Sequence, residues 1–324
     1  MPRVYGVTIR KGGQGKSTTV ATLARLCALY GARTLVIDLA QPGSCAASLR
    51  DIWPEASHGD LSSVLLALSN WPAGQLPDLD AARAALDAAG LPAHLTTQPS
   101  WGSGAIMALP WDDSLGDAAA FLRSEFTLRA LIATLSSAID IVLIDFPADT
   151  GPLMTTALSA TDSVLLPLAP EAPALEGAAA TLRMLARVRE AGHPIELSGI
   201  LLTRAEARNK RLMEVTQALR QAGEIEGESL QRKLLPFAIH ANEYFEQAFR
   251  YGQPVWERTS AQREWAGYVL LTEWLLRDAG LAHLAGNRRG PAMLLPETRI
   301  IDTTTLLFNQ AEPMLADFER AHAL

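Results

Sequence analysis

The 324-residue chain is 48% hydrophobic and 19% charged, with 23 glycines, 19 prolines and a mean hydropathy of +0.10, which excludes disordered, collagen-like and coiled-coil proteins. Its net charge of −7 argues against a uniformly nucleic-acid-binding surface, yet residues 200–263 hold ten lysines and arginines against eight acids, so a local basic face is allowed. Two cysteines, Cys27 and Cys45, are too few for a disulfide framework or a four-ligand zinc or iron–sulfur centre, and both are expected reduced and buried in a cytoplasmic protein.

Residues 4–9 form a short apolar run that ends in Arg10-Lys11-Gly12-Gly13-Gln14-Gly15-Lys16-Ser17-Thr18, after which Ala21, Leu23, Ala24, Leu26 and Leu29 recur at helical spacing. This reads as strand, glycine loop and helix. Residues 34–38 predict a second buried strand and 140–145 a third, each closing on a carboxylate, Asp38 or Asp145. Further strands are expected at 163–168, 197–203 and 230–235, separated by helices at 175–190 and 208–221. Residues 51–104, broken by prolines, are read as surface helices near 60–69 and 79–89 within the same domain. The alternation implies an α/β fold, a mainly parallel sheet with helices on both faces. One domain is expected over residues 1–285, followed by an extension at 286–324 with a helix near 305–321. No stretch approaches the roughly 20 apolar residues of a membrane span.

A glycine loop between a strand and a helix leaves backbone N–H groups free to face a phosphate, and the helix N-terminus adds positive potential. In that frame Lys16 neutralises the β and γ phosphates and the Ser17 hydroxyl is a magnesium ligand. The general phosphate-loop pattern has glycine where Arg10 stands; what is present is Lys-Gly-Gly-x-Gly-Lys-Ser, with Lys11 in front.

These residues resemble the ParA/MinD family of deviant Walker ATPases, in its ParA branch. Lys11 matches the family's signature lysine, Val36-Ile37-Asp38-Leu39 its second motif, and residues 140–147 its Walker B segment. Residues 157–167 followed by Ala174-Leu175-Glu176-Gly177, the Ile200-Leu201-Leu202-Thr203 strand and Gly252-Gln253-Pro254-Val255 also fit. The resemblance implies a P-loop fold, an ATP- and Mg2+-dependent sandwich homodimer in which Lys11 reaches the partner's phosphates, non-specific binding to double-stranded DNA, and control by a ParB-like partner. It implies Gly12, Gly13, Gln14, Gly15 and Thr18 as nucleotide-binding positions with Lys11, Lys16 and Ser17. Pro236 and Phe237 are carried over with them. Asp38 and Asp145 are implied near magnesium and its waters, although a strand-end aspartate that merely caps a helix stays an open alternative for either.

Three departures bear on function. The second motif of the family reads Asp-x-Asp-Pro-Gln-Gly and its second aspartate serves the attacking water, but here Ala40 occupies that place. Gln41 and Asp149 are the conceivable substitutes, and slow hydrolysis is expected. The segment 236–240 lacks the arginines common in ParA proteins, so DNA contact is expected from Arg204, Arg208, Lys210, Arg211, Arg232, Lys233 and Arg250, unless the run at 208–211 is only a solvated helix start. Alternatives are a relative that positions another cargo, or an ATP-binding scaffold with little turnover. A membrane-patterning relative needs a basic amphipathic C-terminal helix, whereas residues 315–324 carry two acids and one arginine. The ParA resemblance implies a cytoplasmic, nucleoid-associated location.

Overall fold

The computed structural model describes residues 1–50, 52, 61–68, 80, 83–84, 87, 104–111, 113–122, 124–148, 150–171, 174–205, 210–259 and 265–285. The expected C-terminal extension at 286–324 and most of the patch at 79–89 lie outside the described residues. Among the described residues seven strands form one parallel sheet: β1 (Arg3–Val7), β2 (Arg33–Asp38), β3 (Ala105–Leu109), β4 (Ile141–Asp145), β5 (Ser163–Leu168), β6 (Glu196–Ala205) and, after a short antiparallel hairpin of β7 (Glu224–Ile225) and β8 (Glu228–Ser229), β9 (Leu234–His240). The order across the sheet is β3-β2-β4-β1-β5-β6-β9, which confirms the expected α/β class.

The strands are apolar along nearly their whole length because both faces are covered. Successive side chains point to opposite faces, so Leu35 and Ile37 of β2 and Val142 and Ile144 of β4 enter one core cluster. Val36, Ile141 and Leu143 enter the other. The second face is covered by α1 (Lys16–Tyr30), α2 (Ser44–Ser48), α10 (Tyr244–Tyr251), α11 (Ala266–Asp278) and α12 (Ala282–Ala285). The first is covered by α3 (Leu61–Leu68), α4 (Leu115–Ala120), α5 (Thr127–Thr134), α6 (Pro152–Ala160), α7 (Ala174–Glu190), α8 (Lys210–Gln221) and the single turn α9 (Leu230–Lys233).

Two local readings are corrected. The run at 230–235 is not one strand: Leu230–Lys233 is helical and β9 starts at Leu234, because Arg232 is exposed and Lys233 half-buried while Leu234 onward is buried against β6. Edge strand β3 was not anticipated. Among the described residues it pairs only with β2, in register from Arg33↔Ala105 to Ile37↔Leu109, and its five residues carry no turn signal of their own.

Helix α11 closes the second face by packing across both α1 and β9. Buried side chains tie it to α1: the Thr19 and Tyr268 hydroxyls lie 3.0 Å apart and the Tyr30 hydroxyl donates to Glu273 at 2.6 Å. At Gly267 the contact is too close for a side chain, since a Cβ there would stand 2.5 Å from the Ala238 carbonyl oxygen. Backbone cannot yield as a flexible side chain does. Gly267→Ala is therefore expected to cost about 1–3 kcal/mol, measured as a lower urea midpoint at unchanged slope.

Candidate functional site

The loop at residues 10–15 joins β1 to α1 at the carboxyl end of the sheet. Gly13 (φ 72°) and Gly15 (φ 84°) adopt left-handed backbone, which glycine enters without a Cβ penalty. Gly15 stands immediately before α1, no side chain caps that helix, and its first intrahelical bond runs from Thr19 N–H to the Gly15 carbonyl at 2.9 Å. The N–H groups of the opening turn thus keep their donor capacity for an anion.

The loop is fastened to its neighbours through Gln14, which is 1% exposed. Its Oε1 accepts the Ala169 N–H at 2.8 Å just past β5, and its carbonyl accepts the Thr203 hydroxyl of β6 at 3.0 Å. Lys16 folds over the loop, its Nζ donating to the Lys11 carbonyl at 3.4 Å. Burial lowers the Lys16 pKa, with the charge of Asp145 opposing. Lys11 is ion-paired with Glu171, whose other oxygen lies 4.0 Å from Arg204 Nη1. The hydrogen bond from Lys11, then the charges of Lys11 and Arg204, hold the Glu171 carboxyl below its ordinary value.

Strand register places the two aspartates side by side: Asp38 of β2 is the partner of Asp145 of β4, and Asp145 is in turn opposite Val7 at the end of β1. Both are fully buried. Asp38 accepts N–H bonds from Ala40 at 3.1 Å and Ala46 at 2.9 Å, so it also caps the short helix α2, the ordinary role of a strand-end carboxylate. Burial still pushes it up to about 6. Among the described residues neither oxygen of Asp145 has a hydrogen-bond partner of normal geometry, although the nearby Ser17 hydroxyl favours its charged form. Burial first, then the charge of Asp38, raises Asp145 well above the ordinary carboxylate range.

A buried carboxylate without a partner is the observation that fits a divalent cation, because such a charge is costly unless paired or metal-bound. Among the described residues, ligand atoms of Asp38, Asp145 and Cys45 lie within 4.8 Å of one another. Cys45 and Cys27 are both free and buried, as expected. Burial and the two carboxylates raise the Cys45 thiol well above its ordinary value, so it stays protonated and the hard oxygens remain the cation's natural ligands.

The remaining candidates are dispersed. Ala40 is buried and Gln41 is exposed; Asp149 and Arg208 lie outside the described residues. Pro236 and Phe237 are buried within β9, with Phe237 in the core cluster beside α1 and α11. Lys210 and Arg211 open α8, Arg232 and Lys233 close α9, and Arg250 is exposed on α10. Lys233 is 3.9 Å from Glu228. Arg204, next to last in β6, is in a left-handed conformation, φ 52°, uncommon for a residue with a side chain. Sequence reasoning gave no site role to Glu171, Thr203 or Cys45: Glu171 and Thr203 meet Lys11 and Gln14 at separations of 160 and 189 residues, and Cys45 joins Asp38 and Asp145 only in space.

Comparison with known proteins follows the same lines. The profile of the CobQ/CobB/MinD/ParA nucleotide binding domain matches residues 5–255. The chain is 28% identical over 263 residues to the chromosome partitioning protein ParA of Caulobacter vibrioides, covering 78% of this chain and 86% of that protein. It superposes with a TM-score of 0.62, at 25% identity, on cobyrinic acid a,c-diamide synthase from Mycobacterium smegmatis with bound ATP analogue and magnesium, covering 90% of this chain and 99% of the other. MinD from Pyrococcus horikoshii, complexed with Mg-ADP, shares the fold at a TM-score of 0.60 and 20% identity, over 87% of this chain and 99% of the other. Among the described residues no helix is long and apolar enough to cross a membrane.

The aspartate pair sets a pH dependence. Folding raises both carboxyl pKa values, so the folded chain binds more protons than the unfolded one, and metal-free stability falls as pH rises from about 4 through 6. Asp145→Asn removes one of the two charges. In EDTA at pH 8 its melting temperature is expected to exceed that of the unsubstituted protein by about 2–4 °C, with the gain shrinking at pH 5. Added magnesium should then favour the unsubstituted protein. Thermal melts at both pH values check this, and a variant less stable than its parent at pH 8 in EDTA would refute it.

Proposed function

Because this chain belongs to the CobQ/CobB/MinD/ParA nucleotide-binding domain family, we propose that it is a ParA-type ATPase that binds ATP with Mg2+, pairs with a second copy of itself across the bound nucleotides, binds double-stranded DNA without regard to base sequence and answers to a ParB-like partner on the nucleoid. The name of its Caulobacter relative, chromosome partitioning protein ParA, supports the partition role. The observation that carries the reading is the uncapped start of α1, with Lys16 folded over the loop and a carboxylate without a hydrogen-bond partner at Asp145.

In this reading the N–H groups at residues 12–18 bind phosphate oxygens and Lys16 neutralises the β and γ phosphates. Ser17 and Asp145 hold the cation, and Asp38, already bonded to the amides of Ala40 and Ala46, orients its waters. When bound, Mg2+ supplies charge neutralisation on the transferring phosphoryl group. Lys11 donates to the partner's phosphates, a charge-assisted contact that requires both nucleotides. DNA contact through Arg204, Arg208, Lys210, Arg211, Arg232, Lys233 and Arg250 is phosphate-directed, and so weakens with salt.

Hydrolysis needs a group that aligns water, and the Ala40 side chain offers no polar atom. Turnover then relies on Gln41 or Asp149, and the ATP-bound dimer is long-lived. Ala40 equally favours a second reading, an ATP-binding scaffold with little turnover, and the two are separated by measured hydrolysis with magnesium, DNA and the partner present.

Two measurements check the proposal. Lys16→Ala is expected to abolish ATP binding by calorimetry, whereas Lys11→Ala binds ATP yet stays monomeric by light scattering; a dimer that forms equally without ATP or with Lys11→Ala would contradict the switch. Ala40→Asp is expected to raise kcat at least about tenfold, within the two to four powers of ten that catalytic positioning commands. Vigorous turnover by the unsubstituted protein alone, unchanged in Gln41→Ala and Asp149→Ala, would reject the assignment of the water.

A further inference from the structure

The Lys11 ammonium does not extend away from its own subunit. It is ion-paired with Glu171, three positions past the end of β5, and the backbone fixes both ends of this contact. Lys11 N–H donates to the Ile9 carbonyl at 2.7 Å, and Glu171 N–H donates to the Ala169 carbonyl at 2.8 Å, each in a tight turn. The two turns are joined through Gln14, whose buried side chain accepts the Ala169 N–H. Lys11 and Glu171 are therefore held within reach of each other by the same brace that holds the phosphate loop.

The pair is only half-buried, with side-chain exposures of 27% for Lys11 and 38% for Glu171. A contact of that kind is weak and exchangeable. A triphosphate carries several negative charges and competes with a single carboxylate for the ammonium. Arg204, 4.0 Å from the second Glu171 oxygen, stays beside the carboxylate when Lys11 leaves, so the charge is not stranded.

We propose that Glu171 is a positioning residue that holds Lys11 against its own subunit, and that pairing of two copies requires this ion pair to open. It rests on the reading of Lys11 as an intersubunit phosphate contact. The predicted consequence is that Glu171 weakens dimerisation, since it holds Lys11; the Gln14 side chain of the same loop also favours the charged form of Glu171, so the effect on dimerisation is read at saturating nucleotide.

The test uses the full-length protein and its Glu171→Gln and Glu171→Asp variants. In nucleotide-free protein, limited labelling of Lys11 by acetic anhydride, read by mass spectrometry, should rise at least about twofold in Glu171→Gln and return towards the parent in Glu171→Asp, an effect a purely structural role would not produce. With a non-hydrolysable ATP analogue and magnesium, sedimentation should show a dimer dissociation constant about two- to fivefold lower for Glu171→Gln, the size expected of a partly exposed ion pair. Unchanged Lys11 labelling overturns the proposal, as does a parent that dimerises while Glu171→Gln dimerises equally or less well. If parent and variant both remain monomeric with nucleotide, the dimer reading falls and this proposal with it.

Discussion

The site is organised by one pairing, the parallel register that sets Asp38 opposite Asp145 at the carboxyl ends of adjacent strands. Neighbouring strands lie about 4.8 Å apart, so two buried carboxylates at paired positions cannot avoid each other. The sheet accepts this because the surrounding backbone turns outward there: β2 hands over to α2, whose N–H groups bond Asp38, and β1 hands over to the glycine loop. What is left without a bond is Asp145, beside Lys16 and Ser17. A fold that buries an unbonded carboxylate next to an uncapped helix start is arranged for a cation and an anion together, and neither alone would balance the site.

The second constraint is how the loop keeps its shape. Glycines at 13 and 15 give the chain freedom to curl, and freedom alone would let the N–H groups wander. Gln14 removes it by reaching β5 and β6 at once, while α11 presses on α1 through Tyr268 and Thr19. The loop is thus held at the ends of two strands and, through α1, by α11 on one face of the sheet. The same brace carries residues 169–171 close to Lys11, so the position of the signature lysine is coupled to that of the loop. Family membership and the geometry converge here on nucleotide chemistry.

Much of this could be read from the residues in order. The glycine loop, its two lysines, Ser17 and the strand-end aspartates are local signals, because phosphate binding needs contiguous backbone between a strand and a helix. Buried parallel strands announce themselves as apolar runs, and β1, β2, β4, β5 and β6 lie where those runs predict. The failures have a common cause. Edge strand β3 is defined by its partner and not by its five residues, and the run at 230–235 divides where burial changes from Lys233 to Leu234, a change that only packing against β6 creates.

By itself, then, the sequence determined the fold class, the glycine loop between a strand and a helix, and the places of Asp38 and Asp145 at strand ends, since each depends on chain-local periodicity or on residues adjacent in order. Only the tertiary structure decided which groups meet. The Asp38 and Asp145 register, the Gln14 brace to Ala169 and Thr203, the thiol of Cys45 beside the carboxylates and the hold of Glu171 on Lys11 join residues up to 189 positions apart. Such contacts are set by strand order and by helices packing on both faces of the sheet, and no spacing along the chain encodes them.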